Sequence, residues 1–93
     1  MNKALNSPKI TVLMPAYNAE QFITAAVSSI LAQEFSNFKL VILDDGSNDR
    51  TPEILASFAR LDDRITIYTN LSKTGILAAR DKLLSYVDTE YFA

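Results

Sequence analysis

Three apolar runs alternate along the chain with segments of helical periodicity. Residues 10–14 and 38–43 are nearly continuous apolar runs rich in β-branched side chains, which predicts strands buried on both faces. Residues 65–69 alternate between apolar and polar positions, which predicts a strand at a sheet edge. Residues 91–93 have the apolar character of a fourth strand at its beginning.

Between these runs, apolar side chains recur at the three- and four-residue spacing of helices. We expect a first helix capped by Asn18 with Gln21 three residues on, a second capped by Thr51, and a third after Gly75. Pro52 suits the first position of the second helix. The positions expected to face inward are Phe22, Ile23, Ala26, Val27, Ile30, Leu31, Ile54, Leu55, Phe58, Ala59, Ile76, Ala79, Leu83, Leu84 and Val87.

The predicted order β-α-β-α-β-α-β indicates an α/β fold. Right-handed crossovers give a three-layer α/β/α, Rossmann-like parallel sheet of strand order 3-2-1-4, with strand 4 truncated. Residues 1–8 are predicted to be an N-terminal tail, and residues 9–93 a single, partial domain. Ligands of such sheets bind beyond the carboxyl ends of the strands, so the residues after strands 1 and 2 are the informative ones.

Composition narrows the possible chemistry. The chain has 93 residues, of which 48% are hydrophobic and 22% charged, as expected of a folded protein. A net charge of −2 without a basic stripe argues against nucleic-acid binding. The absence of Cys and His excludes thiolate chemistry, a Cys/His zinc site and a Ser-His-Asp triad, so any metal would need oxygen ligands. Neither a signal peptide nor a membrane span is recognised, which favours the cytoplasm or the inner face of the membrane.

Tyr17 follows the first strand, in the segment 15–18 (PAYN). At the carboxyl end of a strand, a phenol offers a flat face for stacking on a base and a hydroxyl for hydrogen bonding. The alternative is that the ring simply packs over the end of the sheet.

Asp44 and Asp45 end the second strand and precede a turn at Gly46. Adjacent acids at a strand end repel each other and lose hydration, so a ligand N–H or hydroxyl would compensate them. The alternative is an Asx turn in which Asp44 accepts from nearby backbone N–H groups and Asp49 helps to cap the next helix. We assign Asp44 partly to that turn and Asp45 mainly to a ligand.

Gly75 and Arg80 mark a third segment, at the beginning of the third helix. A glycine there permits close backbone approach, and a helix N-terminus favours an anion. Arg80 could bind a diphosphate bidentately or form an ion pair with one of the two acids. Lys73 and Ser72 are interpreted as solvated loop residues, and residues 62–64 as a solvated turn at the opposite end of the sheet.

Taken together, these segments resemble family 2 glycosyltransferases of the GT-A fold. The matching text is residues 10–18 (ITVLMPAYN), 38–51 (FKLVILDDGSNDRT) and 75–81 (GILAARD). The resemblance implies a nucleotide-diphospho-sugar transferase domain, with Asp45 accepting from the N3–H of a uridine-type base and Tyr17 contacting that base. Asp44 would buttress the loop, and Arg80 would reach towards the base or phosphates. The nucleotide-binding residues implied are Pro15, Ala16, Tyr17, Asp44, Asp45 and Arg80.

The resemblance further implies a UDP-sugar donor, a glycan or lipid-linked acceptor and an inverting reaction in cell-surface polysaccharide biosynthesis. The family uses Mg²⁺ or Mn²⁺ held by a DxD motif after the fourth strand, and a later carboxylate as general base. The sequence stops at Ala93, before those positions, so we expect neither a catalytic residue nor a metal ligand in this chain. We therefore expect no sugar transfer by the 93 residues alone, and self-association through the exposed sheet edge. Asp81 stands where the family usually has Asn.

Two other classes of function remain open. The chain could be a non-catalytic nucleotide-binding module, or an α/β interaction module of the response-regulator type. A dinucleotide-binding domain is excluded because its G-x-G-x-x-G turn cannot be built from Gly46 and Gly75, the only glycines of the sequence.

Overall fold

The computed structural model describes residues 8–93, so the predicted tail, residues 1–8, lies outside the described residues except for Pro8. Strands and helices alternate as predicted. The elements are β1 (Ile10–Ala16), α1 (Ile23–Leu31), β2 (Phe38–Asp45), α2 (Thr51–Leu61), β3 (Ile65–Asn70), α3 (Ile76–Leu84) and β4 (Tyr91–Phe92).

All four strands are parallel and lie in the order β3-β2-β1-β4, which confirms the predicted fold. The alternating strand β3 is at one edge, as its pattern indicated. At the other edge, β4 pairs only with Ile10 and Thr11, and the N–H of Leu13 donates to the carbonyl of Ala93 at 2.8 Å. Self-association through this edge stays a prediction.

Two apolar clusters lie on opposite faces of the sheet, because successive side chains of β2 alternate between them. Leu40 and Ile42 pack with α1 and α2, in a cluster that includes Val27 and Leu55. The other cluster, on the α3 side, consists of Val41, Leu43, Ala79 and Leu83. The continuous apolar run of β2 is thus explained by helices on both sides.

The predicted beginning of α1 was wrong. The helix begins at Ile23, and Phe22 before it is 70% exposed rather than inward. Asn18 does not cap the helix: it has φ of +46°, and its side chain accepts a hydrogen bond from the N–H of Asn48. A contact with the neighbouring turn, 30 residues away in sequence, has taken the place of the local cap.

The α2 and α3 predictions were correct in part. Pro52 lies in the first turn of α2 as expected, but the Thr51 hydroxyl accepts from the N–H of Ala19 instead of capping the helix. In α3, Ile76 is 68% exposed although it was expected to face inward, and Val87 lies beyond the end of the helix. Ile76 is exposed because the first turn of α3 borders an open cleft.

Candidate functional site

The two acids that end β2 point to opposite faces of the sheet. Asp44 shares a face with Ile42 and Asp45 shares a face with Leu43, because strand side chains alternate. Both carboxylates are buried, at 1% and 4% exposure. The expected compensation therefore operates separately for each acid, within a different set of partners.

Asp44 forms the Asx turn that was one of its two expected roles. Its Oδ1 accepts from the backbone N–H of Ser47 at 3.2 Å and from the Ser47 hydroxyl at 2.5 Å. Its Oδ2 is buried and has no hydrogen-bond partner among residues 8–93. Asp44 thus holds the turn after β2, on the face covered by α1 and α2.

The turns after β1 and β2 are joined by hydrogen bonds on this same face. The N–H of Asn18 donates to Ser47 Oγ at 2.9 Å, and the N–H of Asn48 donates back to Asn18 Oδ1 at 2.8 Å. The N–H of Ala19 donates to Thr51 Oγ1 at 2.8 Å. These bonds fix the path of the chain directly after Tyr17.

Asp45 organises the other face. Its Oδ1 accepts from Asn70 Nδ2 at 2.9 Å, from the N–H of Thr74 at 2.9 Å and from the Thr74 hydroxyl at 2.8 Å. Its Oδ2 accepts from the N–H of Gly75 at 3.0 Å. The amide of Asn70 is the largest influence on this carboxyl, and together with Thr74 and Gly75 it lowers the pKa of Asp45 to about 2, against the opposing effect of burial.

Lys82 extends this network and Arg80 does not join it. Lys82 Nζ donates to Asn70 Oδ1 at 2.6 Å, which orients the amide group of Asn70 towards Asp45. Among residues 8–93, the salt bridges join Lys39 to Asp88, Arg50 to Glu53 and Arg64 to Asp62. The alternative of an ion pair between Arg80 and Asp44 or Asp45 was therefore wrong.

Gly46 allows the segment 71–75 to lie directly against the end of β2. It has φ of +77°, and a Cβ at this position would lie 2.6 Å from both the backbone N of Lys73 and the carbonyl carbon of Ser72. No side chain fits there without moving the backbone. Gly75 has φ of +97° but faces open space, so its requirement for glycine is conformational alone.

A cleft of about 440 Å³ opens beside Asp45 at the carboxyl ends of β1 and β2, and we call it the Tyr17 cleft. Tyr17 is 38% exposed, so its ring is not buried in the interior. The lining residues are Pro15, Ala16, Tyr17, Asp45, Lys73, Gly75, Ile76 and Ala79. The structure thus brings together four of the six residues that the resemblance assigned to nucleotide binding, although their role in binding stays a prediction.

Asp44 and Arg80 do not line the Tyr17 cleft. Asp44 lies on the other face of the sheet, where it holds the turn at Ser47. Arg80 lines a neighbouring cleft of about 250 Å³, which shares Pro15 and Ile76 with the first. Arg80 can therefore approach only a ligand that extends from the Tyr17 cleft into its neighbour.

Lys73 is a cleft residue that the sequence analysis missed. Its Nζ lies 4.2 Å from the centroid of the Tyr17 ring, the geometry of a cation–π contact. Its position depends on the close approach at Gly46 and on the bond from Thr74 to Asp45, which pins the adjacent backbone. The glycine after the acid pair was the available signal for such an approach, but it does not say which segment comes near.

Residues 8–93 contain no group of three or more Asp or Glu side chains that could hold a metal ion. None of the helices in that part of the chain is both long and apolar enough to cross a membrane.

Comparison with known proteins agrees with the fold. Residues 11–93 match Glycosyl transferase family 2. The chain is 37% identical over 84 residues to the Escherichia coli protein named UDP-Glc:alpha-D-GlcNAc-diphosphoundecaprenol beta-1,3-glucosyltransferase WfgD, covering 90% of this chain and 32% of that protein. The chain thus spans about a third of that relative's length.

Two solved structures share the fold. TarS 1-349 of S. aureus in complex with UDP superposes with a TM-score of 0.79 at 28% identity, covering 91% of this chain and 26% of that one. The mannosyltransferase PcManGT from Pyrobaculum calidifontis, in complex with GDP-Man and Mn²⁺, superposes with a TM-score of 0.78 at 24% identity, covering 87% of this chain and 25% of that one. With the family match extending from strand β1 to the last residue, this chain belongs to glycosyl transferase family 2.

Proposed function

We propose that this chain provides the donor-nucleotide site of a glycosyltransferase and that the donor is a UDP-sugar. The observation that carries the proposal is the Tyr17 cleft, where an exposed phenol ring and an ionised, buried carboxylate meet at the carboxyl edge of a parallel sheet. A volume of about 440 Å³ lies within the range of small-molecule sites.

The hydrogen bonds of Asp45 favour a base that presents an N–H. Among residues 8–93, three donors occupy Oδ1, whereas Oδ2 accepts from the N–H of Gly75 alone and retains a free lone pair. Because the pKa of Asp45 is about 2, the group is a pure acceptor at neutral pH. Uracil presents N3–H to such an acceptor, whereas N3 of cytosine is itself an acceptor.

The surroundings suit the rest of a nucleoside diphosphate. The exposed face of Tyr17 can contact the base. The N-terminus of α3 opens onto the cleft at Ile76, where helix N–H groups favour a phosphate. Arg80, in the neighbouring cleft, can meet a diphosphate that extends beyond the first.

The remaining functions of the enzyme are not assigned to this chain. The described residues offer no cluster of acids that fits Mg²⁺ or Mn²⁺. The acceptor is proposed to be a glycan or lipid-linked sugar at the cytoplasmic side of the membrane, supported by the diphosphoundecaprenol named for the E. coli relative. Sugar transfer by the 93 residues alone is expected to be absent.

Calorimetric titration of the chain with UDP and with CDP, each with and without Mn²⁺, tests the proposal. We expect UDP to bind at least about tenfold more tightly than CDP, because cytosine would set an acceptor against the Asp45 carboxylate. Equal affinities for the two nucleotides, or no binding of UDP, would contradict the proposed site. Turnover of a UDP-sugar by the isolated chain would contradict the expectation that it is inactive.

A further inference from the structure

The ammonium of Lys73 lies over one face of the Tyr17 ring, within the nucleotide site proposed above. Its Nζ is 4.2 Å from the ring centroid, and both side chains line the Tyr17 cleft. A base that stacks on this face must displace the ammonium, which costs the cation–π attraction.

The backbone of Lys73 is held while its side chain remains free to move. On one side, the backbone N lies against Gly46, where even a Cβ would be only 2.6 Å away. On the other, the N–H of Thr74 donates to Asp45 at 2.9 Å. Lys73 is exposed, and its flexible four-carbon stem can swing within the cleft without any change in the loop.

The charges of the cleft give the displaced ammonium a destination. Of the residues that line the Tyr17 cleft, all within the described range, Lys73 alone carries a positive charge, and Asp45 carries a negative one. A diphosphate brought into this cleft is repelled by the Asp45 carboxylate, and Lys73 is the cation placed to offset that repulsion.

We infer that Lys73 is a specificity-determining residue that exchanges one partner for another: it covers Tyr17 in the free protein and pairs with the diphosphate in the complex. This inference rests on the proposed function, since it takes the Tyr17 cleft to be the nucleotide site. Lys73 thereby opposes the binding of an uncharged nucleoside and favours the binding of a nucleoside diphosphate. The cleft thereby distinguishes a nucleoside diphosphate from a nucleoside without help from a metal ion or the donor sugar.

The test compares uridine with UDP on the 93-residue chain and on the variant Lys73→Met, which removes the charge and leaves an unbranched side chain one heavy atom shorter. We expect the variant to bind UDP about tenfold or more weakly, because a charge-assisted bond to phosphate is lost. We expect it to bind uridine about two- to fivefold more tightly, because the base no longer displaces a cation. Lys73→Arg retains the charge and should preserve the preference for UDP.

Lys9→Met is the matched control, since Lys9 is an exposed lysine at the amino end of β1, away from the cleft. It should alter neither affinity. Changes of the same sign for both ligands in Lys73→Met, or no change in either, would overturn the inference and leave the nucleotide site standing. If the unmodified chain binds neither uridine nor UDP, the proposed function itself fails.

Proton NMR of the free chain gives an independent readout. The ε-methylene protons of Lys73 should be shifted upfield by the Tyr17 ring current, and saturation with UDP should return them towards the values of an exposed lysine. An ε-methylene that is unshifted in the free chain, or that remains shifted when UDP is bound, would overturn the exchange of partners.

Discussion

Asp44 and Asp45 are neighbours in sequence with opposite environments. Asp44 lies on the α1/α2 face, where its bonds to Ser47 belong to a closed set of contacts between two turns. Asp45 lies on the α3 face, where it accepts hydrogen bonds from the segment that ends at Gly75. Asp45 also borders an open cleft. The pleat of a single strand thus separates an acid that holds a turn from an acid that borders an open cleft.

The comparison shows how one short motif can perform two tasks. The Asp44 side fixes the turns that carry Tyr17 into position, and the Asp45 side fixes the opposite wall of the cleft. Gly46, directly after the acids, is where the two sides meet, because it lets the segment at Lys73 pack against the end of β2. Perturbing each part should therefore give a different pattern of stability and binding.

The largest effect is expected for Gly46→Ala, which should lower the free energy of unfolding by about 4 kcal/mol or more, since it adds a backbone clash to an unfavourable φ. Gly75→Ala is the matched control, because Gly75 also has a positive φ but a Cβ there would contact nothing. It should lower the free energy of unfolding by about 2 kcal/mol. Urea unfolding of both variants measures the difference. Equal costs would mean that the close approach of residues 72 and 73 to Gly46 is absent in solution.

The same isosteric change at the two acids should separate their roles. Asp45→Asn should lower the free energy of unfolding by about 3 kcal/mol and weaken UDP binding at least about tenfold. The reason is that the amide NH₂ of asparagine, itself a donor, would face groups that donate to the carboxylate in the unmodified chain. Asp44→Asn should lower the free energy of unfolding by about 1 kcal/mol and leave UDP affinity within about twofold, since within residues 8–93 Asp44 is hydrogen-bonded to Ser47 alone. Unfolding and calorimetric titration check both values. If Asp44→Asn lost more UDP affinity than Asp45→Asn, Asp44 rather than Asp45 would be the acid that serves nucleotide binding.

A smaller effect is expected in acid. Because the folded-state pKa of Asp45 is lowered from 3.8 to about 2, its stabilisation is present above the unfolded value and is lost as the pH falls through the folded one. The stability difference between the unmodified chain and Asp45→Asn should shrink by about 2 kcal/mol between about pH 6 and about pH 2. The lowered pKa values of Asp49, Asp62 and Asp88 affect both proteins alike and cancel. A difference that does not vary with pH would contradict the bonding of Asp45.

Much of the fold could be predicted because it depends on local pattern. The continuous apolar run of β2 and the alternation in β3 were enough to place one strand inside the sheet and the other at its edge. The beginning of α1 could not be predicted in this way. Asn18 has the side chain of a helix cap, but its partner Asn48 belongs to another turn, and sequence proximity does not reveal that contact.

The candidate site, like the fold, could be predicted where it depends on local pattern and not where it depends on contacts between distant segments. The positions of Tyr17 and Asp45 followed from the rule that ligands bind at the carboxyl ends of parallel strands. Lys73 was interpreted as solvated because its contact with Tyr17 joins two loops with 55 positions between them, and no periodicity in the sequence indicates such a contact. The groups that donate hydrogen bonds to the Asp45 carboxylate, which belong to residues between Asn70 and Gly75, are likewise distant from it in sequence.

Mapping the amide chemical shifts of the ¹⁵N-labelled chain during a titration with UDP tests the division between the two faces most directly. We predict that the largest changes occur at residues 16–17, 45–46 and 73–76, with little change at Asn18 and at residues 47–51. Changes concentrated at the Asp44 turn, or no saturable change anywhere, would contradict the claim that nucleotide binds in the Tyr17 cleft.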